Sequence, residues 1–476
     1  MRFCLRPWPA FVTLYSVEFL QEDTRLWHAA CVQIAYQVSS GILKNILSVI
    51  PEFIPDEAKR RPQDFTRERK LSLRRLIVTI LHLVAAGKPG GVDIQTGLFF
   101  KNARRAGLWP EARAVHRSAL SRRRALLDWT VFRDILRKAV KMAYDLWPER
   151  AGERWRGMHV LAIDGSKYTL PASATLRAAF DPSSGLQYPG KGHYPQCLVS
   201  TLYDVFRRLP VARSVAAHDG SERREALGLL AEAPRDSWII FDRGYPGYDF
   251  LSSLTHDFEG HYLMRCQASK TFGAVQRFLA GGSAEELLEI APSSKTLQRT
   301  PREQRPALPN LRLRAIRMVA PDGTVSALLT DLTEPASGEF VELYRRRWAV
   351  ETAYRDEKKE LDIEIFHGRT PNSVRQELFA VLIVTVIARL LSALLDERDD
   401  GAGECQLKNA CVALAHDAAV LAPNNPAAAA AVLEELLEQI ARVQYYRHKK
   451  PRPSQPRITR RAVNRWIMAR AQSGAP

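Results

Sequence analysis

The chain has no Cys-x-x-Cys pair, no phosphate-binding glycine loop, no internal repeat and no long low-complexity tract. Its six cysteines (Cys4, Cys31, Cys197, Cys266, Cys405, Cys411) are scattered over 476 residues. That fits reduced thiols and gives no zinc-ligand spacing. Gly190-Lys191-Gly192 lacks the flanking pattern of a P-loop. His193, His218 and His367 stand in no ligand spacing and read as core or surface histidines. Negative charge is the scarcer sign, 52 acidic residues against 69 Lys and Arg, for a net +17. Such an excess says nothing about fold but implies a polyanionic partner, nucleic acid or an anionic membrane. The most apolar long run, Leu378 to Leu395, is interrupted by Arg389, so it reads as a buried core helix and not as a membrane span. Arg2 and Arg6 precede an apolar stretch, yet Pro7, Pro9 and the lack of a small-residue cleavage site argue against a signal peptide.

What is present centres on residues 344–358, Tyr-Arg-Arg-Arg-Trp-Ala-Val-Glu-Thr-Ala-Tyr-Arg-Asp-Glu-Lys. The segment has no Gly, Pro or β-branched run, and this predicts a helix. Tyr344, Arg347, Glu351 and Lys358 then share one face, with Arg355 filling the gap after Glu351. Two apolar runs upstream each end in an aspartate and a turn: 158–166, with Ile163-Asp164-Gly165-Ser166, and 238–245, with Asp242-Arg243-Gly244-Tyr245. Short continuous apolar runs read as strands buried on both faces, whose ends present functional groups. A lone Asp-Gly is a common turn. Asp, Asp and Glu together, in that order, are a far more specific pattern.

These motifs resemble the DDE transposases of bacterial insertion sequences, in the group whose last motif reads Y-x2-R-x3-E-x6-K, matched here by Tyr344, Arg347, Glu351 and Lys358. The resemblance runs from about Asp64 to the basic C-terminus. It implies an α/β, ribonuclease-H-like catalytic core with a β-strand insertion, flanked by helical N- and C-terminal regions. It further implies cut-and-paste movement of an insertion element, with cleavage and strand transfer at its terminal inverted repeats. Asp164, Asp242 and Glu351 would be catalytic and would hold two Mg²⁺ ions, Mn²⁺ being an acceptable substitute. Two ions about 4 Å apart can serve the attacking and the leaving oxygen of a phosphodiester, and carboxylates suit that hard cation. Tyr344, Arg347 and Lys358 would grip DNA backbone, with Arg243 as a further phosphate contact. In this group an aromatic wedge, usually Trp, comes from the insertion; here no Trp lies between His261 and Phe340, which leaves Tyr262, Phe272 or Phe278. The partners implied are double-stranded DNA, as element ends and target, and a second copy of the chain in the DNA complex, in the cytoplasm with no membrane.

The expected organisation is a partly disordered helical leader (1–63), a helical DNA-binding region (64–150), the catalytic core (151–268 and 337–372), an inserted β-subdomain (269–336), a helical C-terminal region (373–446) and a basic tail (447–476). Within the core, strands near 158–164, 196–205, 210–217 and 237–242 and a helix near 221–233 give a β-β-β-α-β order. In the N-terminal region a helical stripe at 73, 76, 77, 80, 81 and 84 is followed by basic segments, one carrying Arg122, Arg123 and Arg124. Short basic helices between turns suit a major groove; a bundle with a solvated basic face is the alternative. Ser166 and Lys167 are open between a turn and a DNA contact, and Arg369 and Arg375 read as solvated. The helix at Ala427–Arg442 suits either a dimer seam or packing onto the core. The alternatives to a transposase are a catalytically inactive DNA-binding descendant, a different ribonuclease-H-like nuclease, and a sugar-kinase relative, which would need a glycine loop the chain lacks.

Overall fold

Strand β1, His159–Thr169, is the axis of the molecule, because it is paired on both sides and fully buried through Ile163. The computed structural model describes residues 59–445, apart from 60, 67–69, 86–90, 149, 151, 184–193, 321 and 396–403. The leader, the basic tail and His193 thus lie wholly or mostly outside the described residues. On one side β1 pairs antiparallel with β2, Gln196–Asp204, which pairs antiparallel with β3, Leu209–Ala217. On the other side it runs parallel to β4, Ser237–Phe241, which runs parallel to β5, His261–Gln267. The spatial order β3-β2-β1-β4-β5, with the first three antiparallel and the last two parallel to β1, is the ribonuclease-H-like arrangement. Trp238-Ile239-Ile240-Phe241 is buried throughout, as a parallel strand covered on both faces requires.

The inserted stretch holds three strands, and they do not form a sheet of their own. β6 (Glu285–Ile290), β7 (Leu311–Val319) and β8 (Val325–Thr330) continue the core sheet, with β8 antiparallel to β5, giving eight strands in one sheet.

Among the described residues four helices precede the sheet: α1 (Leu73–Ala85), α2 (Val92–Arg105), α3 (Arg117–Ala125) and α4 (Thr130–Leu146). Between the strands lie α5 (Ala174–Phe180), α6 (Glu222–Leu230), α7 (Tyr248–Asp257), α8 (Gly273–Gly281) and α9 (Ser294–Arg299). The segment read as one helix is α10 (Ser337–Arg346) and α11 (Trp348–Arg355), joined through Arg347 and followed by a π turn at Asp356–Glu360. Then come α12 (Pro371–Leu395), the short strand β9 (Glu404–Cys405), α13 (Leu407–His416), α14 (Pro426–Arg442) and β10 (Gln444–Tyr445).

α12 is long and apolar enough to cross a membrane, but 89% of its most apolar window is buried inside the fold, against α1, α4, α13 and β3. α1 is buried from Leu76 to Ala85 against α12 and α13, so it is part of this core and not a free groove-reading helix. α14 turns Leu433, Leu436, Leu437 and Ile440 into the core.

Candidate active site

The pairing of β1 with β4 ends at Ala162 and Ile240. Beyond it β1 continues to Thr169, while the chain after Phe241 leaves the sheet through Asp242. Asp164 and Asp242 therefore stand side by side at the open end of the sheet. Ser166 and Lys167 are strand residues here, not a turn. The Gly244 amide donates to Asp242 Oδ1 at 2.7 Å, and a Cβ on Gly244 would stand a close 3.0 Å from that oxygen. The loop is clamped from outside by Arg223 of α6, which donates to the Gly244 carbonyl at 3.0 Å and the Pro246 carbonyl at 2.8 Å.

α11 lies across β1 and brings the third acid. Tyr354 fixes it there: its hydroxyl donates to the Asp164 carbonyl at 2.6 Å and lies 3.3 Å from that of Val199. The π turn then places two consecutive side chains on the sheet. Glu357 accepts from the Tyr168 hydroxyl at 2.7 Å and from Arg213 at 2.7 and 2.9 Å, all three being buried. Lys358 Nζ donates to Ser166 Oγ at 2.7 Å and the Lys167 carbonyl at 2.6 Å, 4.4 Å above the Tyr168 ring. π turns often mark functional positions; this one anchors the helix that carries Glu351.

Charge at the site is crowded and negative. Burial pushes the Asp164 carboxyl up to about 7; Arg347 opposes this, and Asp242, Glu351 and Glu222 add to it. Arg347 is 8% exposed and donates through Nη2 to Glu351 Oε1 at 2.5 Å, while its Nε has no partner. It is the internal cation of the cluster. Glu222, the first residue of α6 after its cap Ser221, is a fourth carboxylate, raised first by burial and then by Asp242, with Lys167 opposing. Its present position depends on glycine at 165: a Cβ there would stand 2.6 Å from Glu222 Cδ and push the side chain aside. The Tyr245 hydroxyl is buried without a hydrogen-bond partner, within the electrostatic reach of Glu222, Asp164 and Asp242.

A set of carboxylates with one shared internal cation has the donor chemistry of a hard divalent ion. Among the described residues no three acidic, His or Cys side chains are drawn together into a ligand cluster; Arg347 holds the Glu351 carboxylate. Asp164, Asp242 and Glu351, with Glu222 at their edge, are the residues that would hold an ion.

The other expected site residues divide. Tyr344 is buried beside Arg347 and Arg265, the two guanidinium carbons 5.9 and 6.0 Å from its ring centre. Arg243 is exposed on the Asp242 loop. Arg355 pairs with Asp356, at 3.6 Å. Arg122 is exposed, and Arg123 lies 4.2 Å over the Phe65 ring. Arg124 corrects the expectation of a DNA contact: it is buried, bound to Glu377 at 2.8 Å, Gln376 at 2.9 Å and the Ser373 carbonyl at 2.7 Å. Its inward direction follows from α3 packing against α12. Arg375, expected to be solvated, lies between the Trp129 and Phe180 rings at 5.6 and 5.1 Å. Tyr262 and Phe278 are buried core residues and are not exposed wedges. The exposed aromatic near the site is Trp348, 48% exposed and one helical turn before Glu351. Trp348 lies outside the insertion, where an aromatic wedge was expected. Its spacing from Glu351 was the available signal. For Glu222 the signal was the glycine after Asp164.

The chain matches the family model "Transposase DDE domain" over residues 150–387. Transposase InsG of insertion sequence element IS4 from Escherichia coli (strain K12) is 24% identical over 278 residues, 57% of this chain and 60% of that protein. The chain thus matches about three-fifths of that relative's length. A solved piggyBac transposase synaptic complex with hairpin DNA aligns with a TM-score of 0.42 and 11% identity over 90% of this chain and 86% of that one. The family model spans both strand-end aspartates and the glutamate of α11, and the chain belongs to the DDE transposase family, whose members generally use divalent metal ions.

Proposed function

We propose that the protein binds the ends of an insertion element as double-stranded DNA, cuts them with Mg²⁺, and joins them to target DNA. The observation that supports this reading is that Asp164, Asp242 and Glu351 lie within electrostatic reach of one another at the open end of the sheet, with Arg347 bound to Glu351. Bound between these carboxylates, two Mg²⁺ ions would supply activation of the attacking oxygen and stabilisation of the leaving one. Glu351 would exchange the Arg347 guanidinium for that role. Arg347, so freed, offers a planar fork to a DNA phosphate. The Tyr344 ring lies beside it, 5.9 Å from the guanidinium carbon. Lys358 fixes β1 against the π turn, which keeps the acids in register. Trp348 offers an exposed ring on which a base can stack.

Away from the site, a groove of about 1240 Å³ lined by Phe65, Lys70, Arg122 and Arg123 supports a DNA path along α3. The net charge of +17 favours such a partner. Two element ends must be held together for transposition, so the working form is a homodimer on DNA, and its place is the cytoplasm, at the nucleoid.

The test is cleavage of the element's own flanking DNA with Mg²⁺ and with Ca²⁺, by the natural protein and by Glu351→Gln. Nicking at the element ends that requires both Mg²⁺ and Glu351 is the expected result. End binding without cleavage under any condition would make this an inactive DNA-binding descendant, and cutting without end preference would make it a plain nuclease.

A further inference from the structure

At the other end of the β2–β3 hairpin, Arg207 and Arg208 project toward the C-terminal part of α12 and β9. They border a cavity of about 110 Å³ together with Arg150, Arg389 and Ser392, and two carboxylates, Glu153 and Glu404, line it against these four arginines. Arg389 also lines the adjoining cleft of about 350 Å³. Most ion pairs around these two spaces are closed. Arg208 pairs with Glu404 at 3.0 Å, Arg355 with Asp356 at 3.6 Å, and Lys408 with Glu360 at 2.8 Å. Glu153 accepts from Trp147 Nε1 at 2.7 Å, and Arg150 stands 4.0 Å from it while donating to the Ala393 carbonyl at 2.5 Å.

Two guanidiniums, Arg207 beside Glu153 and Arg389 within electrostatic reach of Asp356, keep buried N–H groups without a hydrogen-bond partner among the described residues. Arg207, 7% exposed, reaches Glu153 only at 3.8 Å, and its Nε and Nη1 are buried with no hydrogen-bond partner. Arg389 Nε is likewise buried and without a partner, and so is Ser392 Oγ. Arg207 is held in place by the rings of Tyr144 and Trp147, at 5.1 and 5.7 Å. Four unmatched buried polar atoms border one small cavity, which departs from the rule that buried polar groups are paired. Buried guanidinium N–H groups left without an acceptor are costly even where a carboxylate stands nearby, and the four arginines of the lining outnumber its two glutamates. The remedy that suits two guanidiniums and a hydroxyl is a tetrahedral oxyanion, because a phosphate presents several acceptor oxygens and a double negative charge. The cavity has room for one.

We infer that the Arg207–Arg389–Ser392 cavity is a phosphate-binding site, separate from the carboxylate cluster. Two sources share this chemistry, a free inorganic phosphate ion and a backbone phosphate of bound DNA. On β2, Thr201 opposite Asp164 and Asp204 before the hairpin are three residues apart, about 10 Å of strand. A duplex laid across the open end of the sheet can therefore extend past the cavity.

The experiment is titration of the full-length, metal-free protein with inorganic phosphate, followed by calorimetry and by Trp fluorescence. It is repeated with Arg389→Gln and Ser392→Ala, neither of which touches the carboxylate cluster. The expected result is saturable binding that sulfate competes and chloride does not. Arg389→Gln should weaken it at least tenfold and Ser392→Ala by less, both keeping the natural far-UV circular dichroism and melting temperature. If the natural occupant is DNA, saturating duplex abolishes phosphate binding, and Arg389→Gln lowers the slope of log affinity against log salt by about one. If it is the free ion, phosphate and duplex bind together. Equal phosphate binding by the natural protein and Arg389→Gln overturns the inference, as does no binding at all. It is also overturned if binding appears only when Asp396, Asp399 and Asp400 are changed to Asn, since the chain's own acids would then be the counter-charge.

Discussion

A Cβ on Gly165 would stand 2.6 Å from Glu222 Cδ and 2.9 Å from its Cγ. The glycine beside the first aspartate is thus the opening through which α6 delivers a fourth carboxylate. Gly165→Ala must displace Glu222 or move the strand. The atoms met are the far end of a half-buried, flexible glutamate, which can swing aside, so the cost in stability is small. The expected outcome by urea denaturation is a loss below about 1 kcal/mol for Gly165→Ala and no further loss when it is added to Glu222→Ala. Additive losses in the double-mutant cycle would show that the two residues do not compete for the space.

The pH dependence of the metal-free protein should reflect Asp164. Its folded carboxyl titrates near 7, above the ordinary 3.8, so between these values the native state holds a proton that the unfolded chain has lost. By linkage, stability falls as pH rises from about 4 to about 7 and levels off above that. Asp164→Asn should flatten this part of the profile. Mg²⁺ should raise the melting temperature more at pH 8 than at pH 5, because the ion needs the deprotonated acids. A natural protein whose stability rises over the same window, and stays unchanged in Asp164→Asn, would remove Asp164 from the crowded cluster.

How far the sequence foretold this arrangement depends on the range of the interactions concerned. The strand ends bearing Asp164 and Asp242 and the helix bearing Glu351 are local patterns, readable from apolar runs and helical spacing. The β-β-β-α-β order was legible for the same reason. The joining of β8 to β5 was not, since nothing in residues 269–336 marks the edge they will pair with. Arg124 lies in a basic run with Arg122 and Arg123, and only a partner 253 residues away, Glu377, turns it inward. The π turn at Asp356–Glu360 was equally hidden. It depends on Glu357 finding Arg213 and Tyr168, which come from two other strands.

Lys358 is engaged on both sides of its ammonium group, by Ser166 Oγ and the Lys167 carbonyl, and burial holds it below the ordinary lysine range. Lys358→Met keeps the stem over Tyr168 but leaves two acceptors on β1 unmatched. Losses of about 1–3 kcal/mol are expected for such a change. Strand cleavage should fall at least tenfold while end binding changes little. A variant with natural stability and weakened end binding would instead assign Lys358 to the DNA backbone.

Arg122 and Arg124, two positions apart on α3, should separate DNA affinity from folding. Arg122 is exposed and borders the basic groove, so Arg122→Ala should leave the melting temperature unchanged and reduce the salt slope of duplex binding by about one. Arg124 is buried against Glu377, which it holds below the ordinary carboxylate range against the opposing effect of burial. Glu377 also accepts from the amides of His367 and Gly368 at 3.0 and 2.8 Å, in the turn between α11 and α12. Arg124→Ala leaves that carboxylate buried without its main cation, a change expected to cost about 3–5 kcal/mol. Because the depressed acid stabilises the fold only while ionised, the natural protein should lose this contribution on acidification, and Arg124→Ala should show a shallower acid limb. Equal stability of Arg124→Ala and Arg122→Ala would mean that the buried pair does not hold α3 to α12.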